Sequence, residues 1–238
     1  MNPSPVIIVS ENPDIRIIGR VDESFLTDEI AQRQKEKKYL SDLFKIKENN
    51  IFFLKQTHGI DFHFVEGKTS DTAYYAEGDA LATSEANQLL VVRTADCLPV
   101  FFSLYKEKKP VGGGIIHAGW KGLHLGIIPA MLNASINHYD ADAVTCYLGP
   151  CIGKKNYEVG IEVAEKFEEV ENRNGKYYLD IPSTGMNQIQ FLEKKRNDIQ
   201  FQYFKEYAHC TFENNNRYYS HRKKDSGRNL NTFILRKT

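Results

Sequence analysis

The segment that decides the fold lies in the middle of the chain, where residues 88–117 read QLLVVRTADCLPVFFSLYKEKKPVGGGIIH. Three short runs in this segment are rich in Val, Ile, Leu and Phe, namely residues 88–94, 98–105 and 111–117. Turn-forming or charged residues separate the runs, and each run has the length and composition of a β-strand. The segment therefore predicts three successive strands, with Cys97 in the first turn and His117 at the end of the third strand.

Strand-like and helix-like runs alternate along the rest of the chain. Further strands are predicted at residues 6–9, 51–54, 62–65, 144–148, 177–181, 199–204 and 232–235. Helices are predicted at residues 28–44, 123–136, 160–170 and 186–195, and a polar loop at residues 213–216. Pro129 is expected to kink or shorten the second helix. This alternation predicts an α/β (α+β) fold, a single domain over residues 1–238 in which mixed β-sheet layers are flanked by helices.

Composition and charge argue against several classes of protein. The 31 basic side chains equal the 31 acidic ones, whereas a nucleic-acid-binding domain normally carries a basic excess. Short basic runs such as residues 35–38 and 222–224 are expected to be solvated surface. No apolar run approaches the roughly 18 residues of a membrane span, and the start of the chain lacks the features of a secretory signal. We expect a cytoplasmic, monomeric protein without a nucleic-acid or membrane partner.

The cysteines constrain the kinds of metal and disulfide site. The chain has four cysteines, at positions 97, 146, 151 and 210, and no CxxC pair. In a cytoplasmic protein, free thiols are expected rather than disulfides. The absence of CxxC argues against a structural zinc knuckle.

A set of one thiol and two imidazoles suggests a catalytic metal site. Cys97, His58 and His117 each lie at the edge of an apolar run, beside small or turn-forming residues. Zinc accepts these ligand types, and three protein ligands leave the fourth position open for water or substrate. The spacings match no compact zinc motif, so the residue types alone also allow a buried structural cysteine and two hydrogen-bonded structural histidines.

A series of short motifs resembles one known family. The motifs, in order, are KQTHG (55–59), GDALAT (78–83), TADCLPV (94–100), HAGWKG (117–122), LGPCIG (148–153), YEVG (157–160), CT (210–211), YSHR (219–222) and GR (227–228). They closely resemble the laccase-domain proteins, formerly called polyphenol oxidases and now described as multifunctional purine nucleoside phosphorylases. The resemblance covers roughly residues 50–238.

The resemblance implies a function and a ligand set. The family's zinc ligands fall on His58, Cys97 and His117. Members of the family cleave adenosine, inosine, guanosine and methylthioadenosine with phosphate, which is a transferase activity, and also deaminate adenosine, which is a hydrolase activity. A nucleoside and phosphate are therefore the expected small-molecule partners, and Zn²⁺ the expected cofactor.

Other polar residues in these motifs are candidates for supporting roles. Asp79, Asp96 and Glu158 are candidate proton carriers or partners that orient a ligand imidazole, and turn or helix-cap chemistry is the alternative for each. Lys121 and Arg222 could meet phosphate, Arg being suited to bidentate recognition of an oxyanion; solvated surface is the alternative for both.

The chain departs from the family pattern near its start. The family usually has an aromatic-Thr-Thr-Arg segment followed by Gly-Gly-Val-Ser, whereas residues 15–25 here read IRIIGRVDESF. We place Arg20 at the arginine position, and the glycine loop is missing. Because this segment borders the substrate site in the family, the departure puts the substrate range in question.

Four other functions remain open at this stage. Two His and one Cys also describe a blue-copper site, so a copper polyphenol oxidase is one alternative; a multicopper enzyme needs further clustered imidazoles, which favours zinc over copper. A metal-free hydrolase with Cys97 as nucleophile and His58 or His117 as base is another. An amidase acting on peptidoglycan precursors and a catalytically silent partner-binding protein complete the set. The chain lacks the HxE…PCxxC signature of classical deaminases.

Overall fold

The strands and helices of the protein alternate as the composition of its runs predicts. The computed structural model describes residues 6–20, 29–68 and 73–236. The strands are β1 (Val6–Glu11), β2 (Asp14–Ile18), β3 (Ile51–Lys55), β4 (Phe62–Phe64), β5 (Ala76–Glu77), β6 (Ala80–Thr83), β7 (Leu89–Thr94), β8 (Leu98–Lys106), β9 (Lys109–Ala118), β10 (Ala143–Leu148), β11 (Glu158–Val159), β12 (Val170–Arg173), β13 (Lys176–Leu179), β14 (Gln200–Phe204) and β15 (Asn229–Ile234). The helices are α1 (Glu29–Phe44), α2 (Trp120–Leu125), α3 (Ile127–His138), α4 (Ile161–Ala164) and α5 (Ile181–Lys195).

Two mixed sheets form the body of the fold. The first has the strand order β1-β2-β15-β7-β3-β5, with β3 parallel to β7 and β5 and the other pairs antiparallel. The second has the order β14-β10-β8-β9-β6-β4, with parallel pairs only at its two edges. A third, small antiparallel sheet has the order β11-β13-β12. The prediction of an α/β fold with mixed sheets and flanking helices is confirmed.

Three apolar clusters hold four layers together. The first sheet packs on the second through one cluster, in which Phe52 and Phe233 meet Phe101 and Ile115. The outer face of the second sheet is covered by α2, α3 and α5, and the outer face of the first sheet by α1. The order of layers is therefore helix, sheet, sheet, helix, and central strands such as β7 and β8 are buried on both faces.

The segment quoted first, residues 88–117, joins the two sheets. Its first strand, β7, belongs to the first sheet, whereas β8 and β9 form a long antiparallel pair in the second. The turn that holds Cys97 therefore passes from one sheet to the other. In the β8–β9 register Pro99 lies opposite His117, so the strand pairing itself places that imidazole beside the turn.

Each of the four predicted helices overlaps an observed one, but the structure has five helices and the bounds differ. Residues 123–136 fall in two helices, because Gly126 adopts a left-handed conformation with φ 81° and ends α2. The helix is shortened at Gly126 and not, as expected, by Pro129, which lies in the first turn of α3, where its missing N–H has no helical partner to lose. The helix predicted at 160–170 was wrong beyond residue 164.

Tertiary context explains the remaining differences. Helix α5 begins five residues before the predicted position, since Asp180 caps it by accepting a hydrogen bond from Ser183 N at 3.1 Å. The strands β2, β5, β6, β11 and β12 were not predicted. Most of them are short, and β6 consists of small residues whose strand conformation comes from pairing with β9 and β4. Among the described residues, no helix is long and apolar enough to cross a bilayer.

Glycine at position 114 allows β9 to pack closely between its neighbours. A Cβ at Gly114 would lie 2.8 Å from Phe102 Cζ and 2.9 Å from Ala82 Cα, and would meet the Leu81 carbonyl oxygen. We expect Gly114→Ala to lower the free energy of unfolding by about 1–3 kcal/mol, because the backbone of β6 cannot move away freely. Urea unfolding measures this change. Gly160→Ala is the matched control, since its new Cβ would meet only the flexible end of Glu162; an equal loss in the two variants would contradict the explanation.

Candidate metal centre and cavity

Three elements bring the cysteine and the two histidines together. Cys97 ends the turn between β7 and β8, and His117 is the last residue but one of β9. His58 follows β3 and has a φ of 60°. This left-handed conformation is uncommon outside glycine, and it is held by a hydrogen bond from His58 N to Asp79 Oδ1 at 3.0 Å.

The side chains form a compact three-ligand cluster. One ligand atom from each of His58, Cys97 and His117 lies within 4.8 Å of the other two. The two imidazole rings meet edge to face, with centroids 4.7 Å apart. A Cβ at Gly119 would lie 3.1 Å from Cys97 Sγ and 3.2 Å from His58 Cδ2, so the lack of a side chain at that position leaves the cluster room. It is the one such group of His, Cys, Asp and Glu among the residues that the structure describes.

Asp79 organises the cluster from behind. Its carboxylate accepts hydrogen bonds from Gly59 N at 2.7 Å, from Thr57 Oγ1 at 2.9 Å and from His117 Nδ1 at 2.8 Å, in addition to the bond from His58 N. An ionised carboxylate only accepts, so His117 carries its proton on Nδ1 and its Nε2 is free to bind a metal. Burial by itself would raise the pKa of Asp79, but these hydrogen bonds, first that of His117, lower it to about 2.

The charge state of the cluster suits a cation. Burial by itself would raise the pKa of the Cys97 thiol, but the adjacent His117 and His58 lower it to about 6. Burial by itself would lower the pKa of His117, but Cys97 and Asp79 raise it to about 9. The cluster therefore holds a thiolate beside an imidazolium, and a metal that displaces the imidazolium proton finds a deprotonated Cys and a neutral His as ligands.

The cluster opens onto a cavity of about 520 Å³. Its wall combines aromatic rings, cationic side chains and the metal-ligand candidates, and the lining residues are Leu54, Lys55, Gln56, His58, Tyr74, Arg93, Ala95, Asp96, Cys97, His117, Trp120, Tyr157, His221, Arg222 and Arg228. The volume is within the range of small-molecule sites, about 300–1,000 Å³. A flat ligand that carries or accompanies an anion fits this composition.

Of the two residues predicted to meet phosphate, Arg222 lies in the cavity wall. Its guanidinium is centred 4.9 Å from the middle of the Tyr157 ring, and its backbone N donates to Asp96 Oδ2 at 2.8 Å. Lys121 is exposed on α2, lies over the Trp120 ring and falls outside the cavity lining.

The three candidate acids have separate roles. Asp79 lies behind His117 and outside the cavity lining. Asp96 lines the cavity, but its carboxylate is engaged by Thr211 Oγ1 at 2.6 Å and by Arg222 N. Glu158 is half exposed on β11, bound to Lys176 Nζ at 2.9 Å, and outside the lining. The structure therefore places Asp79 and Asp96 as residues that fix the position of others.

Arg20 lies away from the cavity. It donates to the Asn215 carbonyl oxygen at 2.5 Å and to Asp225 Oδ2 at 2.6 Å, and its guanidinium lies over the Tyr219 ring. Arg20 thus fastens the two ends of the segment that contains Arg222, at Asn215 and Asp225. The rest of the altered segment, residues 21–25, where the family has its glycine loop, lies outside the described residues.

Sequence reasoning missed several residues of the cavity wall. Arg93 lies in β7, four residues before Cys97, and Glu36 of α1 accepts a hydrogen bond from its guanidinium at 3.2 Å. Gln56 joins β3 to β7 by accepting from Arg93 N at 2.8 Å and donating to the Arg93 carbonyl oxygen at 2.9 Å. Trp120 and Tyr157 provide aromatic surface. Gln56, Trp120 and Tyr157 belong to the quoted family motifs, and this membership could have identified them as residues of the site.

The hydrogen bond between Asp79 and His117 generates a prediction about metal affinity. We expect Asp79→Asn to weaken metal binding by about 10–100-fold, because the amide no longer fixes the His117 tautomer and ring as the carboxylate does. Competition with a chelator measures the affinity, and circular dichroism checks that the fold is kept. Glu77→Gln is the matched control, since Glu77 is exposed and bound to Lys55. Unchanged affinity in Asp79→Asn would contradict the role given to this carboxylate.

Several known bacterial proteins are similar to this chain in sequence. The chain is 31% identical over 160 residues to a protein of Haemophilus influenzae named purine nucleoside phosphorylase, a match that covers 62% of this chain and 60% of that relative's length. It is 30% identical over 191 residues to a protein of the same name from Xylella fastidiosa, covering 74% of this chain and 68% of that relative. A relative from Escherichia coli, named purine nucleoside phosphorylase YfiH, is 26% identical over 183 residues, covering 76% of this chain and 72% of the relative.

Two solved structures have the same fold as this chain. The hypothetical protein YfiH of Bacillus licheniformis superimposes with a TM-score of 0.80 over 99% of this chain and 98% of its own, at 22% sequence identity. YlmD from Geobacillus stearothermophilus gives a TM-score of 0.76 over 94% of this chain and 92% of its own, also at 22% identity. The family model described as multi-copper polyphenol oxidoreductase laccase matches residues 24–236. Because that match takes in nearly the whole chain, the protein belongs to this laccase-like family, the one that its motifs indicated.

Proposed function

We propose that the protein is a zinc enzyme that cleaves purine nucleosides with phosphate, and that it deaminates adenosine as a second activity. The observation that carries the proposal is that the cluster of His58, Cys97 and His117 opens onto a cavity whose wall combines aromatic rings with arginines. Relatives named purine nucleoside phosphorylase support the same reaction class.

The ligand set favours zinc over copper. Two imidazole nitrogens and one thiolate are typical of a catalytic zinc site with an open fourth position. A multicopper oxidase needs further groups of imidazoles, and among the described residues His58, Cys97 and His117 form the one group that could hold a metal. When bound, zinc would act as a Lewis acid that polarises a substrate atom or lowers the pKa of a water.

The cavity wall suits a nucleoside together with phosphate. Trp120, Tyr157 and Tyr74 offer ring surface for a purine. Arg222 and Arg93 offer guanidinium groups, which bind phosphate oxygens in pairs. In phosphorolysis the sugar carbon becomes positively charged as the base leaves, so an anion held beside the sugar both stabilises that charge and is the nucleophile.

The chain's own residues have definite tasks in this reaction. Asp79 keeps a proton on His117 Nδ1 and thereby directs Nε2 towards the ligand-binding position. Asp96 holds the backbone of Arg222, and the Tyr157 ring supports its guanidinium, so the cation is in place before phosphate arrives. This preorganisation lowers the entropy lost on binding. Adenosine, inosine, guanosine and methylthioadenosine are the proposed substrates.

One observation favours a second candidate, a metal-free hydrolase. The pKa of Cys97, lowered to about 6 beside His117, is also the property of a nucleophilic cysteine with its base. Such an enzyme would include the amidase alternative. It differs from the zinc enzyme in that its activity survives removal of metal.

The function is tested by chromatography of adenosine and inosine incubated with the enzyme, with and without phosphate. We expect free purine base and a sugar phosphate only when phosphate is present, and inosine from adenosine at a slower rate in either condition. Loss of both activities in chelator, with recovery on adding Zn²⁺, is expected because the metal is part of the site. Activity that persists in chelator would favour the cysteine hydrolase, and metal binding without turnover would favour a partner-binding protein.

Substitution of the thiol ligand separates metal binding from folding. We expect Cys97→Ala to lose bound zinc and both activities while the thermal unfolding of the apoprotein is nearly unchanged, because Cys97 is only partly buried. Elemental analysis of the purified variant measures zinc. Cys146→Ala is the control, since Cys146 lies in β10, away from the cluster. Normal zinc stoichiometry in Cys97→Ala would overturn the ligand assignment.

The role of Arg222 is tested through phosphate. We expect Arg222→Ala to raise the KM for phosphate by about 10–100-fold, the loss that follows from removing a charged hydrogen-bonding group, with a smaller effect on the KM for inosine. Steady-state kinetics at varied phosphate measure it. Lys223→Ala is the matched control, because Lys223 lies over the Phe212 ring and outside the cavity lining. An unchanged phosphate KM in Arg222→Ala would exclude this residue from phosphate binding.

A further inference from the structure

Two cysteines that take no part in the metal centre lie side by side. Cys151 and Cys210 form an isolated parallel β-bridge, in which Cys151 N donates to the His209 carbonyl oxygen at 3.2 Å and Thr211 N donates to the Cys151 carbonyl oxygen at 2.9 Å. Paired residues of neighbouring strands present their side chains on the same face. Adjacent strands lie ~4.8 Å apart, which is within the Cα–Cα range of about 4.4–6.8 Å found in disulfides.

The two thiols differ in access. Cys151 is fully buried in the apolar cluster beneath the second sheet, whereas Cys210 is partly exposed. The Cys210 sulfur also accepts hydrogen bonds from Gly153 N at 3.2 Å and from Asn156 Nδ2 at 3.5 Å. A solute that reacts with thiols therefore meets Cys210 first and finds Cys151 behind it.

We infer that Cys151 and Cys210 are a reversible oxidation site, in which a hydroperoxide converts the two thiols into a disulfide. In the first step the Cys210 sulfur attacks one peroxide oxygen, the O–O bond breaks, and with hydrogen peroxide one water leaves. Cys210 is then a sulfenic acid, oxidised by two electrons. In the second step the Cys151 sulfur attacks the Cys210 sulfur, the S–O bond breaks, and the hydroxyl leaves as a second water with the Cys151 proton.

The pair is linked to the turn that carries the metal-ligand candidate. Ile152, next to Cys151, donates its N–H to the Asp96 carbonyl oxygen at 2.9 Å. Thr211, next to Cys210, donates its hydroxyl to Asp96 Oδ1 at 2.6 Å. Asp96 directly precedes Cys97 in the chain. A disulfide would join covalently the two segments that now hold this turn by hydrogen bonds alone.

The test uses the full-length, metal-loaded protein and hydrogen peroxide. After exposure, the remaining thiols are trapped with N-ethylmaleimide in denaturant, so that buried cysteines also react, and we expect the number of modified cysteines to fall from four to two. Peptide mass spectrometry should identify a link between Cys151 and Cys210 within one chain, and dithiothreitol should reverse it. In Cys210→Ser the link should be absent, and in the matched control Cys146→Ala it should form as in the wild type.

A second variant traps the intermediate. In Cys151→Ala the resolving thiol is missing, so we expect Cys210 to accumulate as a sulfenic acid that dimedone labels. A link between Cys97 and either cysteine, a link only between two chains, or oxidation of Cys97 with Cys210 unmodified would each overturn the proposal. These readouts use no nucleoside, so their result is independent of the proposed enzyme activity.

Discussion

The buried carboxylate of Asp79 is the constraint around which the candidate site is built. It accepts hydrogen bonds from the backbone of the turn after β3 and from the His117 ring. Because it is shielded from water, each of these donors is worth more than at the surface, and leaving any of them unpaired would be costly. The carboxylate therefore fixes His58 in an uncommon backbone conformation and His117 in one tautomer at the same time.

The crossing of the chain between the two sheets supplies the third part of the cluster. Strands β7 and β8 are consecutive in sequence but lie in different sheets, so the turn between them is held at the sheet boundary. Asp96, which lies in this turn, ties it to the C-terminal part of the chain, because its carboxylate accepts hydrogen bonds from Thr211 and from the backbone of Arg222. The same acid thus helps to place both a metal-ligand candidate and a cation in the wall of one cavity, and the C-terminal part of the chain completes a site that the central strands begin.

A second buried charge network joins the cavity to the outer helix layer. Glu36 of α1 pairs with the buried Arg33 and also with Arg93 of the cavity wall. A charge pair of this kind offsets a desolvation cost only when its hydrogen bonds are well made. Through Glu36, α1 on the outer face of the first sheet thus helps to orient Arg93 in the cavity wall. The cationic side chains of the cavity are brought together by the fold, since the chain as a whole has no net charge.

The sequence by itself determined the class of fold, most strands of the two sheets, and the identity of the metal-ligand candidates. Runs of Val, Ile and Phe identify strands locally, and the ordered motifs around His58, Cys97 and His117 mark the cluster. Spacing along the chain did not show that these residues meet. Only the β8–β9 register, the crossing between sheets and the Asp79 hydrogen bonds bring them within 4.8 Å.

Tertiary structure alone also decided the roles of the supporting residues. Asp79, Asp96 and Glu158 are all acids within motifs, yet one holds an imidazole, one holds a turn, and one pairs with a lysine on the surface. The physical reason is common to these cases. Local composition sets which conformations and charges a segment can have, but partners distant in sequence select among them.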